Sequence, residues 1–293
     1  MEMKRFILAA LAAACMLPAA FAASPVAYRL FDNAGREVDF DAMADSLGRA
    51  DVVFIGENHN CPISHWFEQE ITRALHKIHG PRLVLGEEMM EADNQLILDE
   101  YLSRKISFDR FEAEARLWDN FSTDYYPVVY YAKDNGLPFV ATNVPRRYAA
   151  AVNEGGLAVL DSLSAEAKRY LPPLPVSFSY DEDETAGKFG AMAMLSRRSP
   201  EQMRRMAEAQ ALKDATMAWF IARNLTGPFL HINGSFHSDC RGGIIPYLEQ
   251  YKPGLRIATV TSVRQDEIDA LDPDNRDRAD FYIVVPTDFP TSY

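Results

Sequence analysis

VVFIGENHN, from Val52 to Asn60, is the stretch on which the reading of this chain turns. Val52 to Ile55 is a short unbroken run of β-branched and aromatic residues, the pattern of a strand buried on both faces in a parallel sheet. Gly56 ends the run, where a sharp turn suits a residue without a Cβ. Glu57, Asn58 and His59 come next, and Ile63 to His79 reads as a helix. Polar residues just past the carboxyl end of such a strand stand where open α/β sheets bind ligands. Glu57 and His59 are two apart, so an extended loop projects both to one side.

The pattern recurs along the chain. Arg82 to Gly86, RLVLG, is a second buried strand ending on Gly, with Glu87 and Glu88 after it. Strand, helix, strand at this spacing predicts a parallel, right-handed βαβ unit. Pro138 to Thr142, Phe229 to Asn233, Arg256 to Thr261 and Phe281 to Val285 supply four more strands. Ala27 to Val38 is expected to form a small hairpin turning at Asn33-Ala34-Gly35, and Phe40 to Leu47 a short helix. Glu91 to Leu117 is helical, with Leu96, Ile97, Tyr101 and Leu102 on one face. Tyr125 to Asn135 is a helix stopped by Gly136, and Pro200 to Asn224 is the longest helix. Met203, Met206, Ala207, Gln210 and Lys213 share a face of that helix, which suits either core or the wall of a cavity for a flat apolar ligand. Asp181 to Glu184 is a charge run, read as a solvated loop or helix start. The fold class is therefore α/β: a mostly parallel sheet flanked by helices. Residues 23–293 form a single domain with helical lid insertions near 90–120 and 160–225.

With 293 residues, 48% of them hydrophobic, the chain can bury a full-sized core. Its formal charge of −12 makes it a poor candidate for sequence-independent nucleic-acid binding, which needs a basic surface. Lys4 and Arg5 precede an apolar run from Phe6 to Leu17 and a small-x-small site at Ala20-Phe21-Ala22, the pattern of an export signal over residues 1–22. The run is too short to span a bilayer. A second reading takes Ala12 to Cys15 as a lipoprotein box, anchoring the protein to the outer membrane through Cys15. Cys61 and Cys240 remain in the exported chain, and two cysteines in an oxidising compartment point to a disulfide. If the Val52 and Phe229 strands are neighbours, about 4.8 Å apart, the bridge is feasible. The competing reading is two free thiols.

Two Gly-x-x-His elements each follow a buried strand: Gly56 to His59 and Gly234 to His237. Glu88 after the second strand and Asn143 with Arg146 after the third converge on the same sheet edge if the strands are parallel. Two Glu, two His and an Arg there could serve as metal ligands, an acid–base set or an anion site. His65 is the one other histidine near enough to approach; His76, His79 and His231 read as structural. Tyr125, Tyr126, Tyr130 and Tyr131 crowd the start of one helix. Aromatic packing accounts for such a cluster, and so does a phenolate that ligates iron, as in some haem sites.

GENHNxxxxHxxxQ (Gly56 to Gln69), LGEEM (Leu85 to Met89), YYP (Tyr125 to Pro127), NVPR (Asn143 to Arg146) and NGSFH (Asn233 to His237) occur in an order that resembles the ChaN-like haem-binding proteins. These belong to the superfamily that includes erythromycin esterases and the Tiki metalloproteases. The resemblance covers about residues 40–260. It implies an α/β core with a helical lid, haem bound under that lid by monomers or dimers, and a role in iron or haem acquisition with envelope haem-uptake components. Glu57, His59, Glu88 and His237 match the superfamily's polar centre. Tyr125 matches the family's tyrosine as haem-iron ligand, with its neighbour Tyr126 as the other choice and His59, His237, Glu57 and Glu88 as alternative metal ligands. The expected protein is a periplasmic, non-enzymatic haem binder. The competing expectation is a divalent-metal-dependent esterase or peptidase using the Glu/His centre.

Overall fold

The computed structural model describes residues 25–179 and 199–293. The export signal, Cys15, the Asp181 to Glu184 run and part of the second insertion lie outside the described residues. Seven strands form one sheet: β1 (Arg29–Asp32), β2 (Val52–Glu57), β3 (Val84–Glu91), β4 (Phe139–Asn143), β5 (Phe229–Gly234), β6 (Ile257–Gln265) and β7 (Phe281–Pro286). Their order is β1-β7-β6-β2-β5-β3-β4. Every pairing is parallel except β1 with β7 at the edge. The expected hairpin at Ala27 to Val38 keeps its turn, with Phe31 bridged to Glu37, but only its first arm becomes a strand, which pairs with β7.

The helices among the described residues are α1 (Phe40–Leu47), α2 (Pro62–His79), α3 (Gln95–Leu102), α4 (Phe108–Glu114), α5 (Tyr126–Asn135), α6 (Arg146–Gly155), α7 (Ala165–Lys168), α8 (Pro200–Asn224) and α9 (Ile244–Tyr251). Strand alternation sorts them into two layers. Val53, Ile55 and Leu85 face a core shared with Phe67, Ile71 and Leu75 of α2. Val52, Phe54 and Val84 face a second core shared with Met217 and Ile221 of α8 and Ile244 and Leu248 of α9. Both faces of the sheet are covered, which is why its strands read as unbroken apolar runs. α8 starts where its sequence says it should: the Ser199 hydroxyl accepts from the Gln202 amide, the Gln202 carboxamide oxygen accepts from the Ser199 amide, and Pro200 takes the first turn. Met203, Met206 and Ala207 are buried beside Phe178, so the methionine stripe is core. The first insertion is likewise packed in: Tyr101 stacks on Phe111 at 4.8 Å within the α2-side core. No described helix is long and apolar enough to cross a membrane.

The expected Cys61–Cys240 disulfide is absent: both thiols are free, Cys61 buried and Cys240 exposed. β2 and β5 are indeed neighbours. After them the chain diverges. Cys61 precedes α2 and joins the core on one face of the sheet. Cys240 precedes α9, which packs on the other face.

Candidate functional site

Glu57 and Gly234 end adjacent strands at the same register, and the two Gly-x-x-His elements pack into each other. A Cβ on Gly56 would lie 3.0 Å from Ser235 Cα, in the second element, and from Ser238 Oγ, just after it. A Cβ on Gly234 would lie 2.7 Å from His59 Nε2, in the first. Each glycine is thus the room the other loop needs. Glu88 fastens the junction by accepting the Gly234 amide at 2.9 Å.

On the α2 side of the sheet, Glu57 is the hub. Its Oε1 accepts from the Tyr125 hydroxyl at 3.0 Å and lies 2.6 Å from His59 Nδ1. Tyr125 is buried and its oxygen is 3.4 Å from the same nitrogen. His65 Nδ1 lies 3.0 Å from Glu57 Oε2 and 3.2 Å from Glu68 Oε2, while its Nε2 faces the His59 carbonyl at 3.2 Å and Asp124 at 3.4 Å. Burial opposes ionisation of Glu57, yet its contacts with His59 and His65 win and hold its pKa near 2. Burial and then the Glu57 charge push Glu68 up to about 8. Burial, then the charges of Glu57 and Glu68, raise the Tyr125 phenol above its ordinary value, so it stands here as a neutral donor.

On the opposite face, His237 is buried between Glu88 (Nε2 to Oε1, 3.2 Å) and Asp214 of α8 (Nδ1 to Oδ1, 2.5 Å). Burial favours the neutral ring, but the Glu88 and Asp214 charges outweigh it and push the imidazole up to about 10. Consecutive strand residues divide the two clusters: Glu87 points toward Glu57, Glu68 and His65, and Glu88 toward His237.

The remaining expected residues take other posts. The Asn143 carboxamide donates to the Glu88 carbonyl at 2.9 Å and accepts from the Val144 amide, fixing the β4 loop. Arg146 pairs with Glu91, as does Arg116, and Arg147 with Asp93, forming a charged rim. Tyr126 is turned away: its hydroxyl meets that of Tyr101 at 2.9 Å. Tyr131 bonds His76. Glu68 and Asp214 were not foreseen. Their signal was available, since Glu68 lies one turn from the buried Ser64 and Ile71 of α2, and Asp214 one turn from the buried Ala211 and Ala218 of α8. A carboxylate on an apolar helix face needs a partner.

Residues 43–248 match the model of the haem-binding uptake family of the Tiki superfamily, ChaN. The chain belongs to that family. A structure of cofacial heme binding to ChaN of Campylobacter jejuni superposes with a TM-score of 0.69 at 18% identity, covering 88% of this chain and 97% of that one. The two share the fold. An erythromycin esterase in its open conformation superposes with a TM-score of 0.44 at 11% identity, over 89% of this chain and 83% of that one. The chloroplastic protein RETICULATA-RELATED 5 of Arabidopsis thaliana is 25% identical over 219 residues, which is 67% of this chain and 28% of that protein. The chain thus spans about a quarter of that relative's length.

Haem requires a donor for its iron beside apolar surface, and the residues around His59 fit both requirements. The His59 side chain is 36% exposed, with Nδ1 held by Glu57 and Nε2 left at the loop junction. Trp118 packs edge-on against its ring at 4.9 Å, and the exposed ring of Phe236 lies at the neighbouring loop. Tyr125, the tyrosine expected to ligate iron, is behind His59 and bonded to Glu57.

Proposed function

We propose that this ChaN-family protein is an exported haem-binding protein that assists haem uptake or trafficking in the cell envelope. The observation that carries the reading is the posture of His59: a partly exposed imidazole, with one nitrogen pinned by a buried carboxylate, in a chain of a haem-binding family. Haem, when bound, would supply an apolar macrocycle and an iron that takes a nitrogen or oxygen donor. His59 Nε2 is the donor we assign to it. Glu57 orients the ring and raises its basicity, the office that a carboxylate performs behind many ligating histidines. Tyr125 hydrogen-bonds Glu57 from the far side and stands next in line for the metal. Trp118 and Phe236 border the apolar side. The signal pattern at residues 1–22 supports a periplasmic location, with anchorage through Cys15 as the alternative; haem shared between two copies would make the holo form a homodimer.

Hemin titration of the purified mature protein tests this. The expected result is a saturable Soret band that His59→Ala weakens. Absence of a saturable band in the parent protein overturns the reading.

A further inference from the structure

Beneath the exposed edge lies a second cluster that haem does not account for. We propose that Glu57, His65 and Glu68 form a binding site for a divalent transition cation such as Mn²⁺ or Zn²⁺, buried between β2 and α2. One ligand atom from each of the three falls within 4.8 Å of the others. All three residues are buried, on rigid elements rather than on a flexible loop.

An acidic cluster alone would not carry this. The independent observation is Glu87. It is 1% exposed, and neither of its carboxyl oxygens has a hydrogen-bond partner. It is two residues from Leu85 on β3 and so shares the strand face that packs in the α2-side core, which turns the orphan carboxyl toward the cluster. Glu68 Oε1 and Glu57 Oε2 also lack hydrogen-bond donors. His65 Nδ1 lies 3.0 Å from that Glu57 oxygen, but the contact does not have hydrogen-bond geometry. Four carboxyl oxygens without donors in one place is a large departure, since nine in ten or more buried polar groups are bonded. His65 offers the cluster its nitrogen donor, beside the carboxyl groups of Glu57 and Glu68. A divalent ion would displace the carboxyl protons and take up the free lone pairs. Carboxylate oxygens with one imidazole nitrogen suit Mn²⁺, Fe²⁺ or Zn²⁺ better than the all-oxygen cages of Ca²⁺. Asp124, 3.4 Å from His65 Nε2 and bonded to the exposed Ser292, links the cluster to the surface.

The test is equilibrium dialysis of the haem-free, untagged protein against Mn²⁺ and, separately, Zn²⁺, with elemental analysis. One ion per chain is expected. His65→Gln with Glu68→Gln should lower its affinity at least about 100-fold, because the loss of even a supporting partner costs about 10–100-fold. Glu87→Gln, which keeps the volume and is the safer variant to fold, should weaken binding about tenfold while far-ultraviolet circular dichroism stays unchanged. His59→Ala with His237→Ala should keep the ion. Two results overturn the proposal: a parent protein that retains no ion, or an ion lost from the His59/His237 variant and kept by the His65/Glu68 variant. The hemin titration is a separate measurement, so either site can fail without the other.

Discussion

His59 Nε2 sits over the backbone of Gly234, so close that a methyl group on Gly234 would lie 2.7 Å from it. Gly234→Ala should therefore displace the His59 ring. The expected result is a hemin affinity at least about tenfold lower, or 1.4 kcal/mol. Overpacking should cost about 1–3 kcal/mol in stability. Unchanged hemin affinity in a folded Gly234→Ala variant would separate His59 from haem.

The tyrosines should divide sharply. Tyr126→Phe is expected to leave the hemin spectrum unchanged, because that hydroxyl pairs with Tyr101. Tyr125→Phe removes the donor to Glu57 and should shift the Soret band while keeping most of the affinity. His59→Ala should cost the larger share. If Tyr125→Phe alone abolishes binding while His59→Ala retains a phenolate charge-transfer band, the phenol is the iron's donor.

The two Gly-x-x-His histidines are unequal in stability. His237→Ala leaves Glu88 and Asp214 buried without their shared cation, a loss of about 3–5 kcal/mol. His59 is partly exposed, and its replacement by Ala should cost no more than about 1 kcal/mol. Urea unfolding midpoints of the two variants check this ordering.

His231 makes acid sensitivity predictable. Burial holds its pKa down, at about 4, with the ring between the Thr142 hydroxyl and the Asn233 carboxamide. Unfolded, it titrates near 6.5, so the unfolded chain takes up the proton first. The stability this group contributes is whole above about pH 6.5 and is lost as pH falls toward 4, by on the order of 3 kcal/mol. His231→Gln should flatten the difference between pH 4.5 and 7.5. An unaltered slope in the variant would assign the acid sensitivity elsewhere.

Thiol labelling should be ordered in the same way. Cys240 is exposed and Cys61 buried, so a thiol reagent is expected to modify Cys240 in the native protein and Cys61 only after unfolding, without reductant. Failure to label both in urea would show a bridge.

The legible parts of this fold were those written locally. α8 was legible from its start at Pro200, and the burial of β2 from four apolar residues in a row. What depended on tertiary geometry was not legible. Tyr125 and Tyr126 adjoin in sequence, but Tyr125 closes a π-helical turn from Phe121 and Tyr126 opens α5. That wide turn changes the helical phase, so one phenol reaches the centre and the other leaves it. β3 ran on to Glu91 where the sequence suggested an end at Gly86, because its ladder with β4 continues through Glu87 and, after an irregularity, resumes between Glu91 and Asn143. The cysteine pairing failed because strand adjacency says nothing about which face each following helix takes.

The place of β5 in the sheet also sets when the site can exist. β2 and β3 are made early in the chain, yet they share no ladder; β5 lies between them. Until residues 229–234 arrive, Glu57 and Glu88 are held on strands with nothing to hold them in register. The bond that closes the gap, Gly234 to Glu88, joins residues 146 positions apart, and such non-local closure is slow. A growing or truncated chain lacking β5 would carry one of the two Gly-x-x-His elements and no junction. The hemin-binding capacity of a preparation thus reports the fraction of chains in which β5 has taken its place.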